Sequence, residues 1–151
     1  MALQLDVITP ERRLLSEQAD AVTVPGLGGE LGILPGHTPL ISALQTGVLS
    51  YTQGGATRRL LVSGGFVEVN NDRVSVLADL AELPEEVDAA RARLEREEAE
   101  RRLGAFTGTP EEQAEVRAQL DRASTRLQLA SGDDTGAPRA ARPAAGGADF
   151  R

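Results

Sequence analysis

Several residue types that carry enzyme chemistry are absent or scarce in this 151-residue chain. It has no cysteine and a single histidine, His37, and all 16 of its basic residues are arginine, so lysine is absent. Zinc sites built from Cys and His, catalytic thiolates, Schiff-base lysines and phosphate-binding loops that need a lysine are therefore excluded. Because aromatic residues make up only 3% of the chain, a core must consist of Val, Leu, Ile and Ala.

The charge and polarity of the chain disfavour nucleic-acid binding and membrane insertion. A net charge of −7 would repel the phosphates of a nucleic acid. The longest segment without Asp, Glu or Arg, residues 31–57, contains Gly, Pro, Gln and hydroxyl side chains and is too polar for a membrane-spanning helix. The N-terminus lacks the basic region of an export signal. We therefore expect no membrane insertion, no nucleic-acid partner and a cytoplasmic location.

Residues 1–83 are predicted to form the first domain, a β-sandwich. Short runs with a period of two are separated by Gly, Pro, Asn and Asp, and the clearest of them are 3–7, 21–24, 48–52, 59–63, 66–70 and 74–77. Gly54-Gly55 and the segment 70–72 lie between such runs and favour hairpin turns. Many short strands without a helix between them predict an antiparallel sandwich.

Residues 84–130 are predicted to form an antiparallel two-helix hairpin. Pro84 fits the first position of a helix that ends at Gly104, and the capping box at 109–112 begins a second one. The predicted apolar faces carry Val87, Ala90, Leu94 and Leu103 in the first helix and Val116, Leu120, Ala123 and Leu127 in the second. The fold class is α+β.

The last 21 residues, 131–151, are predicted to be a disordered tail. Twelve of them are Gly, Pro or Ala, and Phe150 is the only large apolar side chain.

Three groups of residues are candidate sites. The glycines of 26–32 do not fit a dinucleotide-binding loop, because Leu31 stands where the pattern requires glycine, and they favour tight turns around a short strand. A lone histidine such as His37 is typical of a structural or interface group. Asp88 and Arg91, three residues apart, favour an exposed ion pair. Arg122 and Arg126, one helical turn apart, form a stripe that is either solvated or binds an anion.

From Ala2 to Leu129 the chain resembles the epsilon subunit of bacterial F-type rotary ATP synthases. The most specific stretch is Gly-Glu-Leu-Gly-Ile-Leu-Pro-Gly-His-Thr-Pro-Leu at 29–40. Further pieces in the family's order are Gly47, the segments 64–69 and 74–78, and the arginine-bearing segment 120–127.

The resemblance implies a non-catalytic rotor subunit on the cytoplasmic face of the cell membrane, bound peripherally. The implied partners are the gamma subunit of the central stalk, the membrane ring of c subunits and, through an extended hairpin, the catalytic alpha and beta subunits. The implied rotor-interface residues are Gly29, Glu30, Leu31 and Gly32, facing the ring, and Pro35, Gly36 and His37, near the stalk. The hairpin is expected to move between a folded form and an extended form that blocks ATP hydrolysis.

The resemblance implies no required cofactor, but it suggests ATP as a regulatory ligand of the folded hairpin. The family's nucleotide motif, Ile/Leu-Asp-x-x-Arg-Ala, matches Asp88, Arg91 and Ala92, and departs from the pattern at Val87. Arg122 and Arg126 would bind the phosphates.

Two alternatives remain open from the residues alone. One is a free-standing sandwich that binds a small molecule or peptide and dimerises through its helical hairpin. The other is a small hydrolase, for which His37 offers no nucleophile-base pair in the sequence.

Overall fold

The computed structural model describes residues 2–132, which form ten strands followed by two helices. The strands are β1 Leu3–Ile8, β2 Arg13–Ala19, β3 Ala21–Gly26, β4 Gly29–Ile33, β5 Leu40–Ala43, β6 Gly47–Gln53, β7 Ala56–Ser63, β8 Phe66–Asn70, β9 Arg73–Leu77 and β10 Leu80–Glu82. The helices are α1 Ala89–Gly104 and α2 Pro110–Ser131, and a 3-10 turn, Pro84–Glu86, precedes α1. Beyond Gly132 the predicted disordered tail lies outside the described residues.

The strands form two five-stranded sheets that pack face to face, which confirms the predicted sandwich. The strand order is β2-β1-β9-β8-β5 in the first sheet and β10-β7-β6-β3-β4 in the second. One pair departs from the predicted antiparallel arrangement, because β1 runs parallel to β9, with Gln4 opposite Arg73. The chain passes through the second sheet before β9 returns beside β1, so no hairpin dictates the relative direction of these two strands.

The core lies between the sheets and consists of aliphatic residues, as the scarcity of aromatics predicts. Strand β1 shows the pattern: Leu3, Leu5 and Val7 are fully buried, whereas Gln4 between them and Ile8 after them are only half-buried. The hairpin turns predicted at 54–55 and 70–72 are both present, with positive φ at Gly54, Gly55, Asn71 and Asp72. The short strand expected among the glycines of 26–32 is β4.

Strands β2, β5 and β10 were not predicted from the sequence. β2, β5 and β10 are edge strands of their sheets, and β2 and β5 consist mostly of half-buried and exposed residues in place of the fully buried ones of central strands. β10 has only three residues, too few to show a period.

Two predictions about α1 were wrong. Pro84 begins the 3-10 turn instead of the helix, and Asp88 is the N-cap of α1, with its side chain accepting a hydrogen bond from the Arg91 backbone N–H. The predicted apolar face is also wrong, because Leu94 is 66% exposed, and the buried residues are Ala92 and Ala99. These alanines are seven residues apart, so they lie on one stripe of the helix. The sequence pattern pointed to Leu94 instead, because its side chain is larger and more hydrophobic than that of alanine.

The second helix begins as predicted, with the Thr109 hydroxyl and the Glu112 carboxylate forming a reciprocal capping box. Val116 and Ala123 are buried as predicted, whereas Leu120 and Leu127 are half-buried. Gly132 closes α2 in a left-handed conformation, so the helix extends one residue beyond the predicted boundary at 130.

The helical hairpin covers the outer face of the second sheet. Leu61 on β7 is fully buried yet lies outside the sandwich core, and its neighbour across the sheet, Glu82, holds Arg126 of α2. β7 is thus buried on both faces at this point: Leu60 and Val62 face the core, and Leu61 faces the hairpin.

A chain that ends after Leu83 is predicted to keep the sandwich folded, because none of the core residues lies beyond that point. The truncated chain should unfold in one cooperative thermal transition, measured by circular dichroism. Binding of a dye that reports exposed apolar surface should rise modestly, since Leu61 is uncovered. Loss of the cooperative transition would show that the hairpin is required for the sandwich to fold.

Candidate functional site

The first candidate surface is the tip of the β3–β4 hairpin. Gly29 has a φ of +134°, which favours glycine, and it is exposed together with Glu30. Leu31 packs its side chain against the sandwich core and is half-buried, as is Gly32. Of the four residues predicted to face a partner ring, the structure therefore exposes Gly29 and Glu30 most fully.

The tip is fixed to strand β5. The Leu27 backbone N–H donates to the Ala43 carbonyl at 2.9 Å, and the Gln45 side-chain amide donates to the Gly26 carbonyl at 3.0 Å. These bonds hold the Leu27 side chain outward, where it is 66% exposed.

The second group of predicted interface residues, Pro35, Gly36 and His37, lies at the other end of β4. The Gly36 N–H donates to the Asp72 carboxylate at 2.7 Å, and Nδ1 of His37 donates to the Thr38 carbonyl at 2.7 Å. Because β4 spans four residue steps from Gly29 to Ile33, the exposed tip and the second group are separated by more than about 13 Å along the strand. They therefore occupy opposite ends of the sandwich.

Sequence reasoning missed an exposed apolar surface on the first sheet. Ile41, Phe66 and Leu77 are 70%, 51% and 40% exposed. The strand register pairs Phe66 with both Ala43 and Leu77, so the three side chains lie on the same outer face of β5, β8 and β9. We call Ile41, Phe66 and Leu77 the apolar corner. The sequence indicates this surface by placing apolar residues at outward positions of the strands, where polar residues are expected.

The third candidate site lies between the helical hairpin and the second sheet. Asp88 caps α1, and the Arg91 guanidinium contacts Glu95 at 3.3 Å instead of Asp88. The exposed Asp88–Arg91 ion pair expected from the spacing is therefore not formed. Ala92 is fully buried.

Arg126 connects the hairpin to the sandwich. Its Nε and Nη2 donate to the two carboxylate oxygens of Glu82 at 2.8 Å each, and Nη1 donates to Glu95 at 3.4 Å. The hydrogen bond with Glu82 is the main cause that raises the pKa of Arg126. The side chains of Arg126 and Glu82 are only 20% and 21% exposed, so solvent screens this pair less than a surface pair.

Two grooves meet at Arg126. One, of about 250 Å³, is lined by Glu82, Glu86, Val87, Asp88, Arg91, Glu95 and Arg126. The other, of about 370 Å³, lies between the helices and is lined by Glu95, Glu98, Arg102, Gln119, Arg122 and Arg126. Carboxylates outnumber arginines in the first groove, and arginines outnumber carboxylates in the second. The predicted residues Asp88 and Arg91 are thus brought together with Arg126 in the first groove, whereas Arg122 lines only the second.

The 3-10 turn before α1 is tied to the first sheet by a second arginine fork. Both terminal nitrogens of Arg12 donate to Glu86, at 2.8 and 2.9 Å, and Glu86 also accepts from the Leu83 N–H. These contacts, first that with Arg12, hold the pKa of Glu86 below its usual value.

The described residues offer neither a metal site nor a membrane span. Within residues 2–132, no group of three or more His, Asp or Glu side chains is placed to hold a metal ion. In the same range neither helix has the length and apolar content needed to cross a membrane.

Two protein-family models match this chain, one for each of its two parts. Residues 2–84 match the family described as ATP synthase, Delta/Epsilon chain, beta-sandwich domain, and residues 85–131 match ATP synthase, Delta/Epsilon chain, long alpha-helix domain. This chain belongs to the ATP synthase delta/epsilon family. The resemblance to epsilon subunits is confirmed, and the alternatives of a free-standing binding sandwich and of a hydrolase are not supported. As a member of this family the chain is a non-catalytic subunit, as expected from the sequence.

Relatives called ATP synthase epsilon chain are similar over most of their length. The relative from Nitratidesulfovibrio vulgaris is 43% identical over 128 residues, covering 85% of this chain and 95% of the relative. That from Anaeromyxobacter dehalogenans is 44% identical over 130 residues, covering 86% and 98%. That from Desulforamulus reducens is 50% identical over 100 residues, covering 66% and 76%.

Solved structures of mitochondrial ATP synthases share the fold. A chain in the OSCP/F1/c-ring structure from Euglena gracilis has a TM-score of 0.71 at 24% identity, covering 82% of this chain and 78% of that one. A chain in the central stalk/c-ring structure from Tetrahymena thermophila has a TM-score of 0.61 at 13% identity, covering 86% and 97%.

Replacing Arg126 with glutamine is predicted to weaken the packing of the hairpin on the sandwich. The change removes charge-assisted hydrogen bonds to Glu82 and Glu95, and we expect a loss of about 1–2 kcal/mol. Amide hydrogen exchange of α2 should accelerate accordingly, while exchange in β1 stays unchanged. The matched control is Arg91→Gln, which breaks only an exposed pair and should cost under about 0.5 kcal/mol. Equal effects of the two variants would contradict a special role of Arg126.

The Arg12–Glu86 contact is predicted to add a pH dependence to stability. The pKa of Glu86 is lower in the folded chain than in the unfolded one, so the contact stabilises above the unfolded pKa of about 4.3 and is lost as the pH falls through the folded pKa. Between about pH 7 and about pH 3, Glu86→Gln should therefore lose less stability in urea unfolding than the unchanged chain. The exposed neighbour provides the control: Glu85→Gln should follow the unchanged chain. If both variants behave alike, the contact does not contribute.

Proposed function

We propose that this chain is the epsilon subunit of a rotary ATP synthase, in which the sandwich docks on the central stalk and the ring, and the hairpin regulates ATP hydrolysis. The observation that carries the docking proposal is the apolar corner, Ile41, Phe66 and Leu77. Contiguous exposed apolar side chains on a folded domain mark interaction surfaces.

The position of Leu27 adds to this argument. Among residues 2–132, four of the five large hydrophobic residues that are strongly exposed are Leu27 and the three of the apolar corner. Leu27 is joined through its backbone to Ala43, which lies beside Phe66 in the sheet. The strongly exposed apolar side chains of the sandwich therefore lie close together at one end, whereas its other large apolar side chains are buried or half-buried.

The occupant of this surface is proposed to be the gamma subunit of the central stalk. The Tetrahymena structure, whose description names the central stalk and ring, supports this choice. The exposed tip at Gly29 and Glu30 is proposed to meet the ring of c subunits, and through this contact the chain would sit peripherally at the cytoplasmic face of the membrane. Rotation of the ring would then pass to the stalk through a rigid sandwich.

The hairpin is proposed to be the mobile part. It contacts the second sheet mainly through α2, where the Arg126–Glu82 fork adds a polar contact to the few buried apolar side chains, Val116, Ala123 and Leu129. A population shift from 1:99 to 99:1 requires about 5.5 kcal/mol of differential binding. Contacts of an extended hairpin with gamma and with the catalytic alpha and beta subunits, which would block hydrolysis, could supply this amount.

ATP is proposed as a ligand of the folded hairpin. The motif residues Asp88 and Arg91 lie in the groove of about 250 Å³, and Arg126 joins it to the groove with Arg122. Because carboxylates outnumber arginines in the first groove, the phosphates are expected on the side of Arg122 and Arg126, with the adenosine toward Asp88 and Arg91. Ala92, the third motif residue, is fully buried and lines neither groove. Binding would require Arg126 to exchange part of its contact with Glu82 for phosphate oxygens.

Phe66→Ser is predicted to weaken binding of the full chain to purified gamma subunit. Loss of an apolar anchor at the centre of an interface commonly costs about 2 kcal/mol, or some thirtyfold in the dissociation constant. Because Phe66 is half exposed, stability should change little. Leu94→Ser is the matched control, since Leu94 is also strongly exposed but lies on α1. Binding is measured by calorimetry. If Phe66→Ser and the unchanged chain bind gamma equally well, the docking proposal is wrong.

ATP is predicted to raise the melting temperature of the full-length chain. Nucleotide at 100 times its dissociation constant should stabilise the folded form by about 2.7 kcal/mol. The double variant Arg91→Ala, Arg126→Ala should lose this shift, whereas Arg58→Ala, an exposed arginine on β7, should retain it. Absence of any shift at millimolar ATP would leave regulation of the hairpin to its protein partners.

A further inference from the structure

The most heavily buried carboxylate of the described residues is Asp6, and the docking proposal above does not use it. It lies in the middle of β1 between the core residues Leu5 and Val7, so its side chain is on the outer face of the first sheet, and it is only 6% exposed. The apolar corner occupies the same face, because β9 carries both Leu77 and Arg73 at outward positions. Asp6 and the apolar corner therefore belong to one surface.

Asp6 is surrounded by donors from three strands. Its Oδ1 accepts from the Ser16 hydroxyl at 2.7 Å, from Arg13 at 3.1 Å and from Gln4 at 3.4 Å, and its Oδ2 accepts from Arg73 at 3.3 Å. Burial opposes the charge on Asp6, but these hydrogen bonds and the two arginines together outweigh it and lower its pKa.

The two arginines are only partly used by this arrangement. Their side chains are 60% and 62% exposed, and each contacts Asp6 through a single terminal nitrogen. A guanidinium has five N–H donors, so most donors of both residues point away from Asp6 toward the space in front of the sheet. The group of Asp6, Arg13 and Arg73 carries one carboxylate and two guanidiniums, and Glu68, exposed on the same face beside Ser75, is a further carboxylate toward the apolar corner.

We propose that Arg13 and Arg73, held in place by Asp6, bind an acidic side chain of the partner that docks on the apolar corner. The proposal rests on the docking function proposed above and adds the chemistry of a second contact. A carboxylate is the partner group that guanidinium forks bind best in a protein interface. Because Asp6 already restrains the two arginines, they lose little side-chain freedom when the partner binds.

The strand geometry sets the spacing of the two contacts. Arg73 and Leu77 are four residues apart on β9, roughly 13 Å, and Arg13 is in the same row as Leu77 but two strands away, roughly 10 Å, because both pair with Ile8. The partner surface should therefore carry an apolar anchor and an acidic side chain at about this spacing, which an α-helix provides over two to three turns. Electrostatic complementarity of this kind fixes orientation and accelerates association.

The test is binding of purified gamma subunit to the full chain by calorimetry at low and high salt. The double variant Arg13→Gln, Arg73→Gln should bind about tenfold more weakly, the scale of one hydrogen bond to a charged group, and its affinity should depend less on salt. The control variant Arg58→Gln removes an exposed arginine from the other sheet and should bind like the unchanged chain. Equal binding of the double variant and this control would overturn the proposal.

The variant Asp6→Asn distinguishes two effects on binding: the positioning of the two arginines by Asp6 and the net charge of the face. The substitution makes the face more positive, so attraction by net charge alone would tighten binding to an acidic partner. If Asp6 positions the arginines, binding should weaken although positive charge has increased. Melting curves must show that each variant is folded at the temperature of the assay. Tighter binding of Asp6→Asn would overturn the positioning role, whereas failure of the unchanged chain to bind gamma would instead refute the docking function itself.

Discussion

The relation between the two halves of this molecule depends on one contact, the fork between Arg126 and Glu82. It joins the last turns of α2 to the short edge strand β10, and it lies beside Leu61, the residue of β7 that is buried by the hairpin and not by the sandwich core. A fork of this kind is directional, so it fixes how α2 lies on the sheet as well as holding it there. Both grooves near the nucleotide motif are shaped by the same side chain.

The choice of residues around this fork suits a hairpin that can leave the sheet. Ala92, Ala99 and Ala123 allow the helices to approach closely while burying little apolar area. A large aliphatic seam would make separation costly, and exposure of such a seam would promote aggregation. The arginine of an ion pair can exchange its carboxylate partner for another protein carboxylate or for a phosphate ligand, because a guanidinium binds carboxylates and phosphates with similar geometry. The sandwich, by contrast, is held by a continuous aliphatic core.

The sequence predicts the sandwich, the two hairpin turns and the capping box of α2, because each depends on local patterns of alternation or turn chemistry. It does not predict edge strands such as β5, whose pairing is decided by β8 across the sheet. The apolar face of α1 was misassigned because Leu94 outweighs Ala92 in any hydrophobic pattern, and only the position of α2 shows which stripe is covered. Asp88 and Arg91 could be named in advance through the family motif, and Arg126 through the arginines of the family's second helix. The partners of Arg126, Glu82 and Glu95, could not, since β10, α1 and α2 meet only in the tertiary structure.

The parallel pairing of β1 with β9 has a consequence for the order in which the chain can fold. β1 is an interior strand, so its inner edge is completed only when residues 73–77 arrive from the far end of the sandwich. During synthesis the N-terminal strand must wait with one edge unpaired until nearly the whole domain has left the ribosome. Contacts of such large sequence separation slow folding. An unpaired edge invites association with other chains in the interval, so rapid capture by β9 protects the nascent subunit as much as it stabilises the finished one.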